Sequence, residues 1–287
     1  MRRAEVVPAP ALVIGAIASV QTGAAIATKL FPQVGAGGAV LLRLALSALI
    51  VCLFVRPSLD EVRGDIALML GYGLVLAAMN LSFYLALARI PLGVAVTIEF
   101  LGPLAVAVGG SRRPLDLLWV GLAALGVALL AGGGGHLSAT GVGFAALAAG
   151  GWAAYILVAQ RVGSAVPGMT GLAVALVAGS LLIAPYGVVA GGAALLRPGA
   201  IGKGAAIAVL SSAVPYSLEL AALRKMRAST FGVLMSLEPA VGALSGLVFL
   251  GQHLRSLEWV AIGCVVVASV GATSTSSGHQ PVEMIDG

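Results

Sequence analysis

The stretch Ser229-Thr-Phe-Gly-Val-Leu-Met-Ser-Leu-Glu238-Pro239-Ala-Val-Gly-Ala-Leu-Ser-Gly-Leu-Val-Phe-Leu250 decides how the rest of the chain is read. It is long enough to cross a bilayer, and Glu238 is its only charge. An ionisable side chain at the bilayer centre costs roughly 2.5–3.5 kcal/mol on insertion scales, so it marks a functional position. A second run, Pro91-Leu-Gly-Val-Ala-Val-Thr-Ile-Glu99-Phe-Leu-Gly-Pro103, has the same design. Gly93 and Gly232 each stand six residues before an acid; Pro239 follows Glu238 at once, and Pro103 follows Glu99 after four residues. Two such runs predict a duplicated membrane protein with a polar site between its halves.

The remaining sequence agrees with that reading. Of 287 residues, 60% are hydrophobic and only 9% are charged. Apolar runs of about 20 residues recur along the chain, and about 20 helical residues cross the hydrocarbon core. The runs predict ten spans: Ala11–Leu30, Gly35–Val55, Asp65–Ala88, Leu92–Gly110, Leu115–Ala131, Thr140–Gln160, Gly168–Ala190, Gly204–Leu223, Ser229–Leu250 and Ser256–Thr273. They are too long for barrel strands and do not alternate in polarity, so the expected class is an all-α integral membrane protein. The basic start Met1-Arg2-Arg3 before an apolar run imitates a signal peptide, but the many further spans, and Gln21 and Lys29 within the first, argue against one.

Charge and repetition give topology. Arg2, Arg3, Arg56, Arg63, Arg112, Arg113, Arg161, Arg224, Lys225 and Arg227 fall on one side; Lys29, Arg89, Arg197, Lys203 and Arg255 fall on the other. The richer side is expected to be cytoplasmic, with both termini on it. The net charge of +5 therefore belongs to span ends and is not a nucleic-acid patch. The Gly132–Gly135 run divides the chain into residues 1–135 and 136–287, each a five-span unit of one membrane domain, the second ending in a short cytoplasmic tail. One shift sets Gly93-Val94 on Gly232-Val233 and Glu99 on Glu238; a shift one residue longer sets Trp119-Val120 on Trp259-Val260. Five is odd, so the second unit enters from the opposite face. The expectation is two inverted five-helix repeats around a midplane site.

Several polar residues are candidates for that site. Pro239 leaves the carbonyl of Met235 without its helical donor, and Pro103 does the same to Glu99. A carboxylate beside freed carbonyls can receive an ammonium group or carry a proton. Arg43 lies near the middle of its span, roughly 12 Å from either end at 1.5 Å per residue. It is expected to pair with a buried carboxylate or to meet an anionic group of a substrate. Glu219 lies nearer a span end. Asn80 and Tyr84 are one helical turn apart and are expected to face the cavity together, and Gln21 and Tyr155 are further candidates. For each of these, an interhelical hydrogen bond is the competing role. Rows of small residues, Gly15-Ser19-Gly23 and Gly242-Gly246, predict close helix packing.

Enzyme signatures are missing. His136, His253 and His279 are scattered, so no metal site or cofactor is expected. Cys52 and Cys264 lie in apolar runs and read as buried thiols rather than a disulfide. No GxxxxGK[ST] motif occurs, which argues against an ATP-driven pump.

The chain resembles the drug/metabolite transporter superfamily, EamA type, and within it the branch that exports threonine and homoserine. The resemblance rests on Gln21-Thr-Gly-Ala-Ala, Leu30-Phe-Pro-Gln-Val-Gly35, Leu42-Arg-Leu-Ala-Leu46, the run from Pro91 to Val106, Ser111-Arg-Arg-Pro114, Ala213-Val-Pro-Tyr-Ser-Leu-Glu219 and Thr230 to Ala240. It implies ten helices in inverted repeats, a bacterial plasma (inner) membrane location, and proton-driven efflux of small neutral amino acids. It also sets Glu99 and Glu238 beside a central cavity. One departure is Gly251-Gln252, where the family usually carries Gly-Glu; Gln252 cannot titrate. The alternatives are a carrier of another metabolite, amine or drug, a lipid-modifying membrane enzyme, and a non-catalytic scaffold. The oligomeric state is left open.

Overall fold

Helix accounts for almost every element because apolar backbone in lipid must satisfy its own hydrogen bonds. A computed structural model of the chain describes residues 8–57, 63–109, 115–132, 137–166 and 169–276. The elements are α1 (Ala9–Val55), α2 (Ile66–Leu87), α3 (Leu92–Glu99), α4 (Leu101–Gly109), α5 (Leu115–Gly132), α6 (Ala139–Ala165), α7 (Thr170–Gly191), α8 (Pro198–Ala208), α9 (Val214–Leu223), α10 (Ala228–Met235), α11 (Glu238–Leu250) and α12 (Ser256–Ser276). Three short turns of other helix types join them, and no strand occurs among the described residues. Arg2, Arg3, the Ser111–Pro114 motif, residues 133–136 of the dividing loop, and the tail lie outside the described residues. Eight helical runs are long and apolar enough to cross a membrane, and Leu117–Leu130 is a shorter apolar helix.

The first two expected spans differ most from expectation. Instead of a connection from Phe31 to Val34, helix runs to Gly35 and resumes at once, making a run of 47 residues. Gly35 alone breaks it, with φ 68° and ψ 171°, a backbone state that glycine adopts without a Cβ clash. The two arms fold back on each other. A Cβ on Gly23 would meet the Ser211 hydroxyl, while Ser47 Oγ lies 3.0 Å from Ser212 Oγ. A straight helix would hold Gly23 and Ser47 about 36 Å apart, which two adjacent serines cannot bridge. The chain therefore reverses at Gly35.

Packing uses the rows of small residues. Gly15, Ser19 and Gly23 lie against Leu218, the Leu210 carbonyl and Ser211, so one face of α1 carries the α8–α9 run. Gly242 and Gly246 receive Val96 and Leu92, so α11 lies against α3. Elsewhere α1 packs on α7, α2 on α6 and α7, and α5 on α12. Buried positions are rich in alanine, including Ala16, Ala27, Ala145, Ala148 and Ala173. Many large apolar side chains also point outward: Phe54 is 84% exposed and Val189 86%. In water such a surface would be an aggregation site; around a membrane helix bundle it is the face presented to lipid.

Candidate functional site

Both glutamate runs are broken helices. In the first, α3 ends at Glu99, Phe100 intervenes, and α4 begins at Leu101. Pro103 has no N–H for the Glu99 carbonyl, which is why the ladder fails there. In the second, α10 ends at Met235 and α11 begins at Glu238. Ser236 and Leu237 form a tight turn, in which Leu237 N–H donates to the Leu234 carbonyl at 3.0 Å. Pro239 gives nothing back to the Met235 carbonyl. Each acid thus sits at a break, where backbone groups are free.

A third irregularity faces these two. Between α8 and α9, Val209–Ala213 form a π turn in which Val214 N–H reaches five residues back to the Val209 carbonyl. Pro215 deprives the Ser211 carbonyl of its ordinary donor. Such turns often mark functional sites. Here Ser212 is brought to Ser47 on the second arm of α1.

The three irregularities surround a chamber of about 310 Å³. Glu99, Glu219, Glu238, Arg43, Asn80, Gln21 and Tyr155 all line it, with Ser47, Ser211 and Ser212. Gln21 Nε2 donates to Glu238 Oε1 at 3.1 Å. Glu238 Oε2 is buried with no hydrogen-bond partner among the described residues. Glu99, Glu238 and Arg43 face the same space. Asn80 spends one N–H on its own helix, donating to the Leu76 carbonyl at 2.8 Å. Tyr155 stacks on Tyr72 with ring centroids 5.5 Å apart.

Of the two roles expected for Arg43, the structure does not show the first, and the placing of Tyr84 needs correction. Arg43 makes no ion pair with a carboxylate among the described residues. It donates from Nη1 to Tyr84 Oη at 3.4 Å, and its guanidinium lies 5.6 Å from the centre of that ring. A cation over an aromatic face is held without being neutralised. Tyr84 accordingly does not share the chamber wall with Asn80. It is fully buried behind Arg43, with Phe31 and Phe83 against it at 5.6 and 6.3 Å. Arg43 and Phe31, both from α1, cover it. Pro103 and Pro239 act on backbone and do not line the chamber either.

Sequence reasoning missed the serines. Ser47, Ser211 and Ser212 carry no charge, and hydroxyls are common in apolar helices. The available signal was the pair Ser211-Ser212 four and three residues before Pro215. Gln252 also gains a place: its Oε1 accepts from Leu92 N–H at 2.9 Å, which ties the end of α11 to the start of α3. Among the described residues no group of three metal-ligating side chains occurs.

Helices long and apolar enough to cross a membrane thus enclose an internal polar chamber. The EamA-like transporter family matches residues 139–274. The threonine/homoserine exporter RhtA of Escherichia coli (strain K12) is 43% identical over 279 residues, covering 96% of this chain and 94% of that protein. The threonine/homoserine exporter RhtA of Salmonella typhimurium (strain LT2) is 43% identical over 275 residues, covering 94% and 93%. A solved crystal structure of a protein 19% identical superposes with a TM-score of 0.61, covering 94% of this chain and 97% of that one, which speaks for the fold. The chain belongs to the EamA-like transporter family.

Proposed function

We propose that this protein exports small neutral amino acids of the threonine and homoserine type across the bacterial inner membrane. The observation that carries the reading is the pairing of opposite charges left incompletely satisfied in one chamber. Among the described residues, Glu238 Oε2 has no hydrogen-bond partner, and Arg43 has the long contact to Tyr84 alone. A zwitterion brings an ammonium for the first and a carboxylate for the second. Relatives 43% identical are threonine/homoserine exporters, which supports the same substrate class.

In this reading the two arms of α1 count as separate spans and α5 as another, giving ten helices. Residues 1–135 and 136–287 are then inverted repeats of one domain, with both termini in the cytoplasm. Glu238, held by Gln21, binds the ammonium. Glu99 makes no side-chain hydrogen bond among the described residues and exchanges the proton that drives export. Arg43, positioned by Tyr84, receives the carboxylate, while Asn80, Tyr155, Glu219 and the serines complete the wall. Alternating access has support in the packing. At the Gly35 end, Gly93 lies on Ala243 and Gln252 on Leu92, whereas the chamber reaches towards Leu172 and Glu219 at the opposite end. That is an inward-facing arrangement for the orientation given.

Counterflow of labelled threonine into liposomes loaded with unlabelled threonine tests the reading. Competition by homoserine and a response of net flux to a pH gradient are expected. Folded protein without counterflow overturns it. A second reading rests on the excess of acid in the chamber, Glu99, Glu219 and Glu238 against Arg43. It makes the substrate an organic amine or drug cation, and the same liposomes distinguish it by cation uptake with indifference to threonine.

A further inference from the structure

A second cavity of about 230 Å³ lies beside the chamber. Pro103, Leu104, Ala107 and Ile156 give it an apolar wall. Its hydroxyls are engaged: Ser269 Oγ lies 2.8 Å from Ser236 Oγ, and Thr273 Oγ1 donates to the Ser269 carbonyl at 2.8 Å. Among the described residues no charged side chain lines it to hold an ammonium or a carboxylate. Matter that suits it is apolar.

Trp152 and Met235 line both spaces and so form the partition between them. Each sits beside a helix break. The Trp152 ring stands edge-on to Phe100, the residue after Glu99, at 5.6 Å and 87°. Met235 ends α10, three residues before Glu238. The backbone beneath Trp152 is fixed. Gly151 is pressed on Met79, and Gly102 on the Ala149 carbonyl, with no room for a Cβ at either. The indole therefore cannot withdraw by a shift of α6 without opening both contacts.

We infer that Trp152 and Met235 set the upper limit on the substrate's side chain, and that the apolar cavity behind them is a latent pocket for larger side chains. The inference rests on the zwitterion reading above. With the ammonium at Glu238 and the carboxylate at Arg43, a short hydroxylated side chain ends before the partition. A leucine or phenylalanine side chain would extend into the apolar space behind it. Selection against larger side chains then comes from a wall that excludes bulk.

The test uses the full chain in liposomes and compares counterflow of labelled threonine, leucine and phenylalanine for the wild type, Trp152→Ala, Met235→Ala and Trp152→Phe. The readout is the ratio of leucine or phenylalanine flux to threonine flux. Trp152→Ala is expected to raise it about tenfold or more, in the range one or a few apolar groups contribute to selection. Met235→Ala raises it from the other side of the same wall, and Trp152→Phe keeps it near the wild-type value. Threonine carriage with an unchanged ratio in both alanine variants overturns the partition and leaves the exporter reading standing. Loss of all counterflow in both variants, with the protein still monodisperse, makes the pair part of the binding wall and also overturns it. Absence of threonine counterflow in the wild type removes the exporter reading, and the inference with it.

Discussion

The two broken helices, α3–α4 and α10–α11, start from matching sequence and finish differently. Both carry a glycine six residues before the acid and a proline after it, and both break beside the acid. Glu238 opens the second half of its helix and is held by Gln21 through one carboxylate oxygen. Glu99 closes the first half of its helix and has no such hold. The glycines diverge as well. A Cβ on Gly93 would lie 2.6 Å from the Ala243 Cα, whereas one on Gly232 would meet only the Thr273 methyl at 2.8 Å. The same break occurs twice; the helix that packs against each one decides what its acid can do.

The difference between the acids is the easiest part of that comparison to break. Glu238→Gln is expected to cut threonine counterflow about 100-fold or more, equivalent to ~2.8 kcal/mol. Glu99→Gln should keep counterflow while net flux stops answering a pH gradient. Identical behaviour of the two variants would falsify the division of labour. The glycines come next. Gly93→Ala is expected to destabilise the protein by about 2 kcal/mol, because backbone must move. Gly232→Ala should be near neutral, since about 1 kcal/mol of helix propensity offsets the displaced methyl. Thermal unfolding in detergent separates them, and equal shifts would mean the two broken helices pack alike.

Gln21→Leu sharpens the contrast at the acid itself. It removes a hydrogen bond of about 1.5 kcal/mol to a carboxylate, so half-saturation for threonine should rise about tenfold with little change in maximal rate. An unaltered half-saturation would show that Glu238 needs no hold. Gln252→Ala is the smallest effect, about 1 kcal/mol from the Leu92 N–H losing its acceptor. Gln252→Glu should restore most of the stability, because a carboxylate oxygen also accepts from that N–H. Should both variants match the wild type in unfolding, the tie between α11 and α3 contributes nothing.

The features legible in sequence were those that apolar surroundings make conspicuous. Glu99, Glu238 and Arg43 stand out because charge in a membrane run is costly, and the prolines mark the breaks. Gln21 and Asn80 were legible as polar groups on helices, and both line the chamber. Tyr84 was placed on the wrong side of the wall, because its neighbours Phe31 and Arg43 come from another helix. The serine contacts and the Trp152–Met235 partition depend on how distant helices meet, which periodicity does not encode. The reversal at Gly35 was expected as a short connection. Its compression into one residue follows from backbone angles that the letter G permits but does not require.

Gly35 also bears on how the chain enters the membrane. An arginine in the middle of a solitary helix is costly to hand over to lipid, roughly 2.5–3.5 kcal/mol on insertion scales. Arg43 lies on the arm after Gly35 and Gln21 on the arm before it, both turned to the same interior space. Because a single residue reverses the chain, both arms are able to leave the ribosome and partition as a pair. The guanidinium then enters with one partner arm and gains its contact with Tyr84 only when α2 follows. Gly35 thus sets the order in which this buried charge acquires its surroundings during biogenesis.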